Sequence, residues 1–162
     1  MILKNKNIGL SVTKEKDLDV LFEIQSDEKG IYLAAFTPKN PHDKTAFIEK
    51  YKKLLSDPTI NMRTIIVDDL IIGSISKFIM EDESEITYWI DRKYWGMGVA
   101  TYTLKSFLEI EETRPIFGRV AFDNIGSQKV LEKNGFVKVG TDNGFANARQ
   151  KEIEEYIYKL VE

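Results

Sequence analysis

A strand that runs through a Gly-x-Gly turn directly into a helix leaves a chain few ways to fold, and residues 85–110 contain one. The run SEITYWID alternates, with Ile86, Tyr88 and Ile90 on one side and Glu85, Thr87 and Trp89 on the other. That is the period of a strand. The turn YWGMGVAT follows, and Leu104, Phe107 and Leu108 then recur at helical spacing between Val99 and Ile110. Gly96 and Gly98 strip side chains from the backbone where the first amides of that helix have no partner within it. The helix dipole favours negative charge at the same point, so the turn suits a phosphate-bearing cofactor. Taken alone, it suits a dinucleotide and a coenzyme A equally.

The flanking sequence reads as one α/β domain over residues 1–162. Ile8 to Thr13 is strand-like, and Leu18, Leu21 and Phe22 mark a helix that runs to Ile24. Tyr32 to Pro41 reads as irregular, because its two prolines interrupt a helix. Helical pattern returns from Asp43 to Leu55 and stops near Asp57-Pro58. Arg63–Val67 and Leu70–Phe78, rich in β-branched residues and joined by Asp68-Asp69, predict a hairpin. After Pro115, Ile116–Phe122 is a strand and Ile125–Asn134 a helix closed by Gly135. Phe136–Gly140 and Glu152–Leu160 are final strands around a polar loop that contains glycine. This gives two helices early, a hairpin in the middle, and a strand-helix-strand-helix block late.

Composition removes several function classes. Cysteine is absent, which excludes disulfides, thiolate catalysis and cysteine zinc sites. The single histidine, His42, makes no histidine metal cluster, so no metal is expected. A net charge of −3 offers no broad basic footprint for nucleic acid. No apolar run approaches the roughly 20 residues that cross a bilayer. The stretch MILKNKNIGLSV lacks the apolar block of a secretory signal, so a cytoplasmic location is expected.

A second motif narrows the cofactor. Asn124 and Ser127 are followed by Val130, Leu131, Glu132, Lys133, Gly135 and Phe136. Together with Gly98 and Ala100 in the turn, this pattern resembles the GNAT N-acetyltransferase superfamily. More narrowly it resembles the ribosomal-protein N-acetyltransferase-like (RimJ/RimL-like) branch, with Asn-x-x-Ser ahead of Val-Leu-Glu-Lys-x-Gly-Phe. The cofactor loop of that family reads Gln/Arg-x-x-Gly-x-Gly/Ala, and here Trp95 stands at the Gln/Arg position. The resemblance implies a central mixed, mostly antiparallel twisted sheet with helices on both faces. It also implies acetyl-CoA as cofactor and direct acetyl transfer to a primary amine, either a protein N-terminus or a small molecule. The expected protein is a monomer or a homodimer.

The chemistry assigns candidate roles. Backbone amides of Gly96, Met97, Gly98, Val99, Ala100 and Thr101, in the loop that Trp95 opens, take the pyrophosphate. The pantetheine arm lies beside Thr87 to Ile90, against Trp89 and Ile90, and pairs with the strand as an extra strand does. Asn124 meets an amide of the arm, caps its own helix, or both. Lys133 or Lys129 meets a phosphate. The attacking amine must be neutral, whereas a lysine ammonium has a pKa near ~10.4 and a chain terminus near ~8. Glu85, acting through water, is the candidate proton acceptor. A backbone amide near Ile90 is the candidate oxyanion donor. Many members of the superfamily place a tyrosine proton donor seven residues after the asparagine. Here that position is Leu131, which leaves Ser127, as the resemblance to the ribosomal branch also implies.

Acceptor recognition is expected from Tyr32–Asp43, the turn after Phe78, and Asp142–Gln150. Phe36, Phe145, Asn147 and Arg149 are the candidate lining residues, with Arg149 meeting a carboxylate or pairing with Glu152 or Glu154. Two other readings compete. One is an acetyl-CoA-binding module without catalysis, which fits Leu131 and Trp95. The other is a dinucleotide-binding oxidoreductase, for which Asp123 stands at a tempting distance from the glycines.

Overall fold

The structure, a computed structural model, describes residues 7–162. Residues 1–6, half of the stretch read for a secretory signal, lie outside the described residues. Along the chain come β1 (Ile8–Val12), α1 (Leu18–Gln25), α2 (Glu28–Ala34), α3 (Lys44–Leu55), β2 (Asn61–Val67) and β3 (Leu70–Met80). They are followed by β4 (Glu83–Ile90), α4 (Val99–Ile110), β5 (Ile116–Ala121), α5 (Ile125–Lys133), β6 (Val137–Ala146) and β7 (Lys151–Leu160). The strands form one sheet in the order β1-β2-β3-β4-β5-β7-β6.

Only β4 and β5 run parallel; every other neighbouring pair among the described residues is antiparallel. The expected mixed, mostly antiparallel sheet is therefore present. The same topology removes the dinucleotide reading, which needs a succession of parallel βα units. The two parallel strands pair only at Glu85 with Phe117 and Ile86 with Gly118. Beyond Ile86 they part, so among the described residues Thr87–Ile90 has β3 on one edge and no strand on the other.

The alternation of β4 sorts its side chains between two cores. Ile86, Tyr88 and Ile90 pack on the face that carries Leu104 and Phe107 of α4 and Leu131 of α5. Trp89 packs on the opposite face with Leu18, Leu21 and Ile24 of α1 and with Phe47 and Tyr51 of α3. Each fully buried side chain of this kind contributes about 1.5–3 kcal/mol. The β2–β3 hairpin turns through Asp68 and Asp69, at φ 49° and 66°. The β3–β4 hairpin turns through Glu81 and Asp82 in the same way, at φ 50° and 66°. Two left-handed residues give a turn whose twist matches the strands it joins. β3 and β4 approach so closely that a Cβ on Gly73 would lie 2.1 Å from the Trp89 carbonyl oxygen.

Two expectations need correction. Among the described residues three helices precede β2 rather than two, because α2 runs through Ala34 into the stretch read as irregular. It is short and carries Gly30, so it shows little periodicity. What sets its start is Asp27, whose Oδ2 accepts from the Gly30 N–H at 2.9 Å. The final loop is also much shorter than expected. β6 continues through Asp142, Asn143 and Gly144 to Ala146, each paired to β7, despite residues that favour turns.

Candidate active site

Where β4 and β5 separate, a cavity of about 630 Å³ opens between them. Tyr88, Trp89 and Ile90 line it from β4, Trp95 to Thr101 apart from Met97 from the turn and the start of α4, and Asp123 to Ser127 from the start of α5. Lys129, Val130 and Lys133 line it further along α5, and Gly30, Leu33 and Ala34 of α2 close another side. The structure thus brings together the candidates Trp89, Ile90, Trp95, Gly96, Gly98, Val99, Ala100, Thr101, Asn124, Ser127 and Lys133. Met97 is the exception in the turn: its side chain packs on the core.

The turn is left-handed at both glycines, with φ 76° at Gly96 and 77° at Gly98. A Cβ at either would meet nothing within 4 Å, so the glycines serve backbone conformation and leave open space in front of it. Gly98 is the N-cap of α4 and supplies no side-chain cap. The amides of Val99, Ala100 and Thr101 precede the first intrahelical donor, the Tyr102 N–H, which reaches the Gly98 carbonyl at 3.1 Å. A twelve-residue helix therefore points an uncapped N-terminus into the cavity, which two lysines of α5 also line. This arrangement fits an anion. Trp95, in place of the expected Gln or Arg, donates its indole N–H to the Ile90 carbonyl at 2.8 Å and pins the turn to the end of β4.

The start of α5 is built differently. Asn124 caps its own helix, its Oδ1 accepting from the Ser127 N–H at 3.3 Å, and its amide donates to the Leu33 carbonyl of α2 at 3.3 Å. Leu131 is buried against Gly118 of β5, where a Cβ would lie 2.9 Å from its Cδ2. A phenol reaches the cavity from another element: Tyr88 of β4 places its hydroxyl 2.6 Å from Ser127 Oγ. Burial pushes the Tyr88 phenol up to about 12, against the opposing effect of its bond to Ser127. Sequence reasoning missed Tyr88. Its side of β4 was legible, but the 39-residue separation from Ser127 hid the contact.

Glu85 does not line the cavity. It sits at the vertex of the fork, 2% exposed, with Arg119 Nε 3.5 Å from its carboxylate. Burial raises the Glu85 pKa, while the Arg119 charge works the other way. Arg119 also meets Glu155 at 3.2 Å and Asp142 at 3.5 Å.

The acceptor candidates lie outside the cavity lining as well. Phe36 and Phe145 are exposed, and Phe36 covers Gly144. Asn147 donates to the Thr37 carbonyl at 2.7 Å. Arg149 pairs with neither Glu152 nor Glu154. It makes two bonds of 2.9 Å to the Asp123 carboxylate, donates to the Tyr32 carbonyl at 2.7 Å, and stacks 3.9 Å over the Tyr32 ring. These bonds lower the Asp123 pKa. Arg149 and Asn147 together stitch the β6–β7 turn to the end of α2, with Arg149 also holding the start of α5. Between them Ala35, fully buried at φ 65° and ψ −57°, forms a strained γ-turn closed by the Phe36 N–H on the Ala34 carbonyl at 2.7 Å. His42, exposed, lies 2.9 Å from Glu28.

Comparison with known proteins bears on this geometry. An N-acetyltransferase of Bacillus licheniformis, p20, itself uncharacterised, is 25% identical, and the alignment covers 98% of this chain and 95% of that protein. The ribosomal L7/L12 alpha-N-protein acetyltransferase RimL, solved with coenzyme A, superposes with a TM-score of 0.81 at 16% identity over 99% of this chain and 97% of that one. A spermidine N-acetyltransferase of Vibrio cholerae, solved with coenzyme A and spermine, gives 0.77 at 19% identity over 96% of each chain. Residues 7–137 match the family described as the Acetyltransferase (GNAT) domain, and the chain belongs to that family of N-acetyltransferases.

Proposed function

We propose that the protein moves the acetyl group of acetyl-CoA directly to a primary amine, in a ternary complex and without a covalent enzyme intermediate. The observation that carries this is the uncapped start of α4, with Gly96 and Gly98 left-handed, opening into the fork between β4 and β5. The amides of Val99, Ala100 and Thr101 hold the pyrophosphate, and Lys129 and Lys133 supply charge beside it. The arm takes the vacant edge of Thr87–Ile90, which leads away from that helix start. Bound there, acetyl-CoA supplies an activated acyl carbon and a thiol leaving group. Support also comes from similar proteins solved with coenzyme A, and from the immunity acetyltransferase MccE, solved with acetyl-CoA and AMP.

The protein's own groups then have limited tasks. Glu85 takes the proton of the incoming ammonium through water, its basicity raised by burial. A backbone amide at the end of β4 meets the oxyanion. Ser127 meets the departing sulfur. RimL and the spermidine enzyme are named for a protein acceptor and a small amine respectively, so either class of primary amine fits the fold.

Thiol release from acetyl-CoA, measured with protein N-terminal peptides, polyamines and aminoglycosides, tests the reading. Acceptor-dependent release is expected with at least one class, and Gly98→Glu, which puts a carboxylate at the anion site, abolishes acetyl-CoA binding. Tight binding with no acceptor-dependent release across the panel would mark a binding module. Normal binding by the Gly98 variant would remove the site assignment.

A further inference from the structure

We infer that Tyr88 is a positioning residue that aims the Ser127 hydroxyl at the leaving sulfur. The inference rests on the proposed acetyl-CoA reading of the cavity. Tyr88 and Ser127 line that cavity from opposite walls of the fork, β4 and α5, and their hydroxyl oxygens stand 2.6 Å apart. Among the described residues, Ser127 Oγ has no other hydrogen-bond partner. Ser127 is the third residue of α5, so the carbonyl four residues back lies outside the helix and does not take its hydroxyl proton. Its Oγ meets the Tyr88 phenol instead.

The direction of the bond follows from acidity. A phenol gives up its proton more readily than an aliphatic alcohol, so it is the better donor and the poorer acceptor. Tyr88 therefore donates to Ser127 Oγ, and the Ser127 proton is left to point into the cavity. The alternative for Tyr88, the Ser127 backbone carbonyl, lies at 3.4 Å, a longer contact. Leu131 of α5 is buried against Gly118, and the phenol beside Ser127 comes from β4.

The step this serves balances simply. The amine lone pair forms the N–C bond, the C–S bond breaks, and its electron pair leaves on sulfur. The surplus proton passes from nitrogen toward water, and the thiolate is later protonated from water. The phenol, at about 12, lies well above a thiol near ~8.5, so Tyr88 does not hand its proton through Ser127 to sulfur. The pair contributes a fixed hydrogen bond to the sulfur charge, which matters most as the C–S bond breaks.

Titration of the thiol of coenzyme A bound to the protein, followed by thiolate ultraviolet absorbance, tests this without any acceptor. The variants are Tyr88→Phe, Ser127→Ala and the double substitution, with calorimetric binding of coenzyme A measured for each. Asp123, Lys129 and Lys133, the charged groups lining the cavity, are common to all and cancel in the comparison. The bound thiol should titrate lower in the native protein than in either single variant, by about one unit. The double variant should match Ser127→Ala. In turnover, Tyr88→Phe should lower kcat about tenfold with KM for acetyl-CoA unchanged. A bound thiol unmoved by Tyr88→Phe, or shifts of the single variants that add in the double, overturn the inference. Failure of the native protein to bind coenzyme A at all would instead remove the cofactor reading beneath it.

Discussion

Arg149 joins elements that the sheet alone does not hold together, and its removal has a calculable effect. Arg149→Leu deletes two charge-assisted bonds of 2.9 Å to Asp123 and one of 2.7 Å to the Tyr32 carbonyl, and it unstacks the Tyr32 ring. The Arg149 side chain is 3% exposed, and the Asp123 side chain 34%. A hydrogen bond to a charged group contributes about 1.5–3 kcal/mol, and breaking a buried pair costs about 3–5 kcal/mol. Water reaches Asp123 and rehydrates it, which places the expected loss at the lower end, about 3 kcal/mol. For a chain of this size that corresponds to a fall in Tm of about 6–12 °C. The loss also has a pH signature. Arg149 lowers the Asp123 pKa, so the pair stabilises the fold above the unfolded carboxyl value near ~3.9 and is lost as pH falls through the folded value. Urea denaturation of native and variant protein at neutral pH and at about pH 3 measures both effects. A deficit under about 1 kcal/mol at neutral pH, or one that does not narrow on acidification, refutes the reasoning.

Two glycine substitutions contrast a crowded backbone position with an open one. Gly73→Ala drives a methyl into the Trp89 carbonyl and displaces β4, so urea denaturation should show a loss of about 3 kcal/mol. Gly126→Ala, in α5 with nothing within 4 Å of the added carbon, should instead stabilise by about 0.5–1 kcal/mol. Glu85→Gln addresses the proton acceptor. If Glu85 serves as proposed, the native kcat/KM falls on the acid side at a pH above the ordinary 4.5, because burial raises this carboxyl. The variant should be slower and lack that limb in a pH–rate profile; an unchanged profile would remove Glu85 from the reaction.

Much of the site was legible because its signals are local. The strand alternation, the two glycines, the helix start and the Asn124–Ser127 spacing each lie within a few residues, and helical and extended geometry convert such spacings directly into position. What escaped the sequence is contact across the chain. Tyr88 meets Ser127 from 39 residues away, Arg149 meets Asp123 from 26 away, and Arg119 gathers Glu85, Asp142 and Glu155 from three strands. The partner of Arg149 was not legible, because an arginine near glutamates in a terminal loop has many possible partners. Only the fold selects one. α2 was obscured by brevity and by Gly30, and β6 by turn-forming residues that pairing to β7 overrides.

The unequal starts of the helices have one more consequence. α2, α3 and α5 each begin with an aspartate or asparagine whose side chain finishes the first turn, whereas α4 begins at bare Gly98. An anion seated there satisfies amides that the helix itself leaves open, so ligand binding adds to the stability of the fold. By mass action, a hundredfold excess of ligand over its Kd adds about 2.7 kcal/mol to the fold. The concentration of acetyl-CoA around the protein would thereby set its lifetime as well as its rate.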